Sequence, residues 1–205
     1  MVTANDVWLG ISKFPTGSLM KAIELEQKAI DMDDACAPAY AILGNLYAQI
    51  REYDKGIAAG ERAIEIAPNL ADAYAHFAHV LNLSGRPDEA IPLIEKAFRL
   101  NPVGPGSYYY FHAANSYRLT GRHEDAVKIL KELLSRWPDN LYGHIELTIN
   151  YTASGRDKEA SEAVKSVLRI DPKFSGQKYA QMHQYKDPAL TTQVLGLLRK
   201  AGLPD

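Results

Sequence analysis

The sequence predicts an all-α superhelix built from tandem helical hairpins. Three features carry that prediction: a 34-residue spacing that recurs along the chain, apolar or small residues at helical intervals within each copy, and glycine or proline where a helix must stop. The clearest copy is 71–104. Its Tyr74, Phe77, Ala78 and Leu81 fall at i, i+3, i+4 and i+7, one stripe of a helix. Gly85 breaks that helix and Pro87 suits the first turn of another. Ala90, Ile94 and Ala97 then repeat the spacing until Pro102 ends it. A lone hairpin of this kind leaves its apolar face bare, so it needs copies beside it.

Taken in order, residues 1–36 read as a degenerate hairpin. A first helix is expected over 6–14, with Trp8, Leu9 and Ile11, ending near Pro15 and Gly17. A stronger one is expected over 18–32, with Ala22, Leu25, Ala29 and Ile30. The first full copy, 37–70, carries Tyr40, Leu43, Gly44, Tyr47, Ala63 and Pro68. Gly56 and Gly60 stand inside its second helix, each costing about 0.5–1 kcal/mol relative to alanine, and their spacing lets a neighbouring backbone come close. Pro68 and Pro102 are 34 residues apart, and so are Pro138 and Pro172. The third copy, 107–140, follows a two-residue insertion, Pro105-Gly106, and carries Tyr110, Ala113, Ala114, Tyr117, Gly121, Ala126, Leu130 and Leu133. The fourth, 141–174, carries Leu147, Tyr151, Gly155, Ala160, Val164 and Val167.

Over 175–205 the pattern decays into a partial repeat. A short helix is expected through Tyr179 and Met182. Asp187-Pro188 then supplies a side-chain cap and a first-turn proline. The helix beyond puts Leu190, Val194, Leu197, Leu198 and Ala201 on one stripe and ends at Gly202 and Pro204. An array must cover the exposed apolar face of its last repeat, and this helix suits that role. A docking helix for another chain is the alternative.

Composition narrows the function. With 46% hydrophobic and 23% charged residues among 205, the chain has the make-up of a folded protein. A formal net charge of −2 and the lack of a basic run argue against nucleic acid as the main ligand. No stretch approaches the ~18 apolar residues of a membrane span, and the N-terminus lacks the pattern of a signal peptide. A cytoplasmic location is expected, or a periplasmic one if the chain is part of a membrane-attached protein. The one cysteine, Cys36, cannot form an internal disulfide and reads as a structural thiol. There is no nucleophile elbow, phosphate-cradling glycine loop or HExxH, so no enzymatic activity and no cofactor are expected.

The pattern of large, large, small, large on the first helix, glycine at the turn, small residues on the second and proline at the end resembles the tetratricopeptide repeat. That resemblance covers 37–174 and implies a TPR solenoid acting as a protein-interaction scaffold. The two ends are similar to the repeat regions at the C-termini of bacterial class III adenylate/guanylate cyclases and of winged-helix regulators. They carry it through Lys21-Ala22-Ile23, Gln27-Lys28-Ala29-Ile30, Tyr185-Lys186-Asp187-Pro188 and the run from Gly196 to Pro204. This second resemblance implies a regulatory module of a fused effector, without the cyclase's own nucleotide and metal residues. Self-association through the terminal helices is a third possibility.

In such a stack the first helices line a concave groove, where a peptide or disordered segment of a partner would lie. Helical geometry turns positions 2, 5, 9 and 12 of each repeat well away from the core stripe. These positions, with the adjoining position 6, give the expected groove: Asn45, His76, His79, Asn82, Tyr108, Phe111, His112, Asn115, Arg118, Tyr142, Ile145 and Ile149, with Glu146 beside them. The aromatics are expected to anchor a partner. The fold's carboxylate-gripping clamp resembles Lys, Asn, Asn, Lys and Arg on three repeats; here those positions are Ala41, Asn45, His76, Tyr108 and His112, and only Asn45 matches. A carboxylate ligand is therefore not expected. His76, His79 and His112 would face one another, but no carboxylate or thiol completes a metal set at familiar spacing. Sensitivity to pH is the use that suits them better.

Overall fold

A computed structural model describes residues 15–205; the helix expected over 6–14 lies outside them. All described elements are helices: α1 (Pro15–Met32), α2 (Ala37–Gln49), α3 (Tyr53–Ile66), α4 (Ala71–Leu83), α5 (Pro87–Leu100), α6 (Ser107–Leu119), α7 (His123–Arg136), α8 (Leu141–Ala153), α9 (Asp157–Ile170), α10 (Gly176–Met182) and α11 (Pro188–Ala201). Each hairpin pairs a 13-residue helix with a 14-residue one: α2 with α3, α4 with α5, α6 with α7 and α8 with α9. The first helix of a hairpin touches both the first and the second helix of the one before it, so the pairs stack into an all-α superhelix.

The punctuation works through backbone geometry. Gly85, Gly121 and Gly155 take left-handed φ values of 81°, 74° and 72° at the turns inside the second, third and fourth hairpins, a conformation that costs residues with a Cβ energy. Arg51 stands at the same turn of the first hairpin with φ 66°. Asp187 caps α11 by accepting from the Ala189 amide at 2.9 Å, Pro188 opens that helix, and Gly202 closes it at φ 96°. The helix expected from Ser18 already includes Pro15, the first described residue.

Packing follows the stripes. Tyr74, Phe77, Ala78 and Leu81 are buried against Ala90, Ile94 and Ala97 in one cluster; Tyr110, Ala114, Leu130, Leu133, Leu147 and Tyr151 build the next. Burying a side chain such as Ile94 or Leu130 contributes about 1.5–3 kcal/mol. The small residues bring backbones together. A Cβ on Gly56 would stand 2.9 Å from the Gly44 carbonyl oxygen, and one on Gly60 would run into the Phe77 ring. Helix propensity is given up here in return for close packing of α2 and α4 on α3.

The outer helices bury one stripe each, only Ala90, Ile94 and Ala97 in α5. The inner helices α4, α6 and α8 are buried on almost every side. Their second covering is the C-terminal tail. Val194 and Leu198 of α11 join Ile145 and Ile149 of α8 and Val167 of α9. The tail therefore covers the last repeat and continues along the inner wall.

Candidate functional site

The inner wall carries two polar systems. In one, the Asn45 amide nitrogen lies 2.6 Å from His76 Nδ1, and the His76 ring stacks on Tyr108 at 5.1 Å between centroids. The Tyr108 and Tyr109 hydroxyls both donate to Asp72 Oδ1, Tyr108 at 2.7 Å. Burial, with the Asp72 carboxylate adding to it, raises the pKa of both phenols, so they act as neutral donors. His79 stacks on His112 at 4.2 Å. Burial pushes His76 down to about 4 and His79 down to about 3, and lowers His112 well below the usual imidazole value. Among the described residues no group of three or more His, Cys, Asp or Glu side chains is placed to hold a metal ion.

The second system is built around the chain's own residues 183–186. After α10, this segment crosses the wall through a tight turn at Gln184, where the Tyr185 amide donates to the His183 carbonyl at 3.0 Å. The Lys186 amide donates to the Leu83 carbonyl at 2.8 Å, and the Tyr53 hydroxyl donates to the Gln184 carbonyl at 2.9 Å. Arg51 Nε donates to Gln184 Oε1 at 2.9 Å. Tyr185, 1% exposed, joins the core cluster of the second repeat. Its hydroxyl accepts from Asn115 Nδ2 at 2.8 Å and from Arg118 Nη2 at 2.7 Å. Arg118 Nε also lies 3.4 Å from Glu146 Oε2, with the side chains 4% and 1% exposed, and Glu146 Oε1 accepts from the Tyr179 hydroxyl at 2.8 Å. Burial opposes the charge on Arg118, but Tyr185 and Glu146 outweigh it and its pKa is raised. Arg118 and Glu146 thus face each other as a buried ion pair, with the Tyr185 hydroxyl on Arg118 Nη2 and the Tyr179 hydroxyl on Glu146 Oε1.

The residues expected to line an open groove are thus on the inner wall but largely covered. Asn115 and Arg118 are occupied by Tyr185. Asn82 donates to the His112 carbonyl at 3.1 Å. Ile145 and Ile149 pack into the cluster formed with α10 and α11. Phe111, 3% exposed, meets the His183 ring at 5.7 Å, and Tyr142 meets Tyr179 at 6.2 Å. Asn45, His76, Tyr108 and Tyr142 keep partial exposure. A recess between tail and wall is lined by Gln49, His79, Leu83, Phe111, Tyr142, Met182 and His183.

Sequence reasoning missed Arg51, Tyr53, Tyr179, Gln184 and Tyr185 as members of the site. One of them carried a legible signal. Where the other three turns have glycine, the first has arginine, accepting about 1 kcal/mol of backbone cost. The side chain placed there reaches the tail 133 residues away.

Three tetratricopeptide repeat models match residues 37–70, 84–140 and 118–183, together more than half of the chain. The chain is a tetratricopeptide repeat protein. Among solved structures it is similar to MamA, at 21% identity and a TM-score of 0.61, covering 78% of this chain and 93% of that one. It is also similar to PilW, a widely conserved type IV pilus biogenesis factor, at 18% identity and a TM-score of 0.71, covering 97% and 88%. A third is YrrB, a TPR protein with an unusual peptide-binding site, at 20% identity and a TM-score of 0.59, covering 87% and 91%. At these identities the likeness shows the fold. No curated protein sequence matches the chain. The repeat as a class supports a protein-interaction scaffold, and among the described residues no helix is long and apolar enough to cross a membrane.

Proposed function

We propose that this tetratricopeptide repeat protein binds an extended segment of a partner protein along its inner wall. One observation carries the reading: that wall already holds a non-helical peptide segment, residues 183–186, through both its main chain and its side chains. A surface that satisfies a peptide carbonyl, a peptide amide and a tyrosine at once has the chemistry of a peptide receptor. The unusual peptide-binding site of YrrB supports the same use of the fold. Aromatic surface at Tyr108 and Tyr142 gives a partner rigid apolar area with polar tips.

The test is a photo-crosslinking residue placed in the full chain at Gln49, on the inner wall, or at Lys128, exposed on α7. A partner captured from Gln49 and not from Lys128 is expected. Capture from Lys128 alone would move the binding surface to the outer face and end this reading.

A further inference from the structure

We infer that residues 183–186 are a tethered stand-in for the partner, and that the partner is a peptide segment whose unmodified tyrosine replaces Tyr185 against Asn115 and Arg118. This rests on the peptide-scaffold reading and adds the chemistry of the ligand to it.

The contacts of the tail divide into two kinds. The Lys186 amide on Leu83 and the Gln184 carbonyl under Tyr53 are main-chain bonds that do not depend on side-chain identity. The Tyr185 subsite is selective. It encloses the ring almost completely and presents two donors, at 2.7 and 2.8 Å, to a single oxygen at its end. Phenylalanine would fill the space and leave both donors without that acceptor. A phosphate or carboxylate is excluded by a different feature: the positive charge of Arg118 is already matched by Glu146 at 3.4 Å. A second negative group would have to enter a buried site that is electrically balanced without it. A neutral hydroxyl on an aromatic ring is what remains.

The tail is held in a way that permits exchange. Its flanks, Asp187 and Pro188 after it and Gln181 before it, are exposed. The Arg51 bond to Gln184 is also at the surface, where such bonds are weak. Arg51 is a separable latch, since the other three hairpins form the same left-handed turn with glycine. Arg51→Gly should therefore preserve the fold while removing one tether. A partner must compete with the tail, so its apparent affinity is reduced by the fraction of time the tail is seated.

The probe is a fluorescently labelled peptide of residues 181–188, its binding to the full chain followed by anisotropy. Binding about threefold tighter to the Arg51→Gly chain, and at least about tenfold tighter to Tyr185→Ala, is expected relative to the natural chain, since both raise the competent fraction. On the opened chains, the peptide with Tyr185→Phe should bind at least about thirtyfold more weakly, and the peptide phosphorylated at Tyr185 should lose binding. Circular dichroism and thermal melting establish that Arg51→Gly is folded; that variant carries the test if Tyr185→Ala is not. Equal affinity for the natural and opened chains, equal binding of the tyrosine, phenylalanine and phosphotyrosine peptides, or no binding to any chain would each overturn the proposal. If that happens while Gln49 still crosslinks a partner, the peptide-scaffold reading stands and only its tyrosine chemistry falls.

Discussion

Removing one oxygen, by Tyr185→Phe, isolates what the buried hydroxyl contributes to the fold. The ring keeps its place in the core cluster, so no cavity opens and the apolar contribution is unchanged. What is lost is an acceptor for two buried donors, Arg118 Nη2 at 2.7 Å and Asn115 Nδ2 at 2.8 Å. A bond from a charged donor is worth about 1.5–3 kcal/mol and one between neutral groups about 1 kcal/mol. With water excluded, the expected loss is about 2–4 kcal/mol. Urea unfolding followed by circular dichroism measures it, as a lower midpoint with an unchanged slope. Asn115→Ala alone and combined with Tyr185→Phe completes a double-mutant cycle, in which a coupling of about 1 kcal/mol is expected. A loss under about 0.5 kcal/mol, the size of an ordinary surface substitution, would refute the account of the tail as a buried, hydrogen-bonded segment.

Two glycines of α3 and α11 should respond in opposite directions. Gly60→Ala drives a Cβ into the Phe77 ring and should destabilise by about 1–3 kcal/mol through overpacking. Gly196→Ala has nothing within 4 Å of the new Cβ and should stabilise by about 0.5–1 kcal/mol through helix propensity; thermal melts of the pair read both. Acid should also weaken the fold. The values of His76 and His79, about 4 and about 3 in the folded chain, lie below the ordinary ~6.5, so the unfolded chain takes up protons first. Stability is then full above pH ~6.5 and is lost as pH falls toward those folded values, by up to about 1.4 kcal/mol per pH unit for each imidazole. A urea midpoint unchanged between pH 7.5 and 5 would contradict this, and His79→Asn should flatten the dependence.

The repeats were legible because their signals are redundant. The stripe from Tyr74 to Leu81, the left-handed glycines and the prolines each mark the same boundaries from copy to copy, and Asp187-Pro188 and Gly202 give the last helix its ends. The inner wall was legible by position alone: Asn115 and Arg118 lie where helical geometry puts them, but what occupies them is a segment without period. Residues 183–186 are held by a few directed bonds and two buried rings, His183 and Tyr185, and neither leaves a spacing in the sequence. Ile145 and Ile149 lie on the same wall, where their apolar side chains pack with α10 and α11. Arg51 is the exception. A missing glycine in an otherwise regular series marked a residue with a task elsewhere, and comparing the four turns position by position would have found it.

The reach of the tail changes how the array can come apart. A helical-repeat stack normally behaves as a row in which each unit leans only on its neighbours, so it can melt from either end. Gln184 bound to Arg51 and Tyr53 draws a chord between the last repeat and the first, turning the row into a loop. Fraying that starts at one end must then undo contacts at the other, so the two termini should lose amide-exchange protection together rather than in sequence.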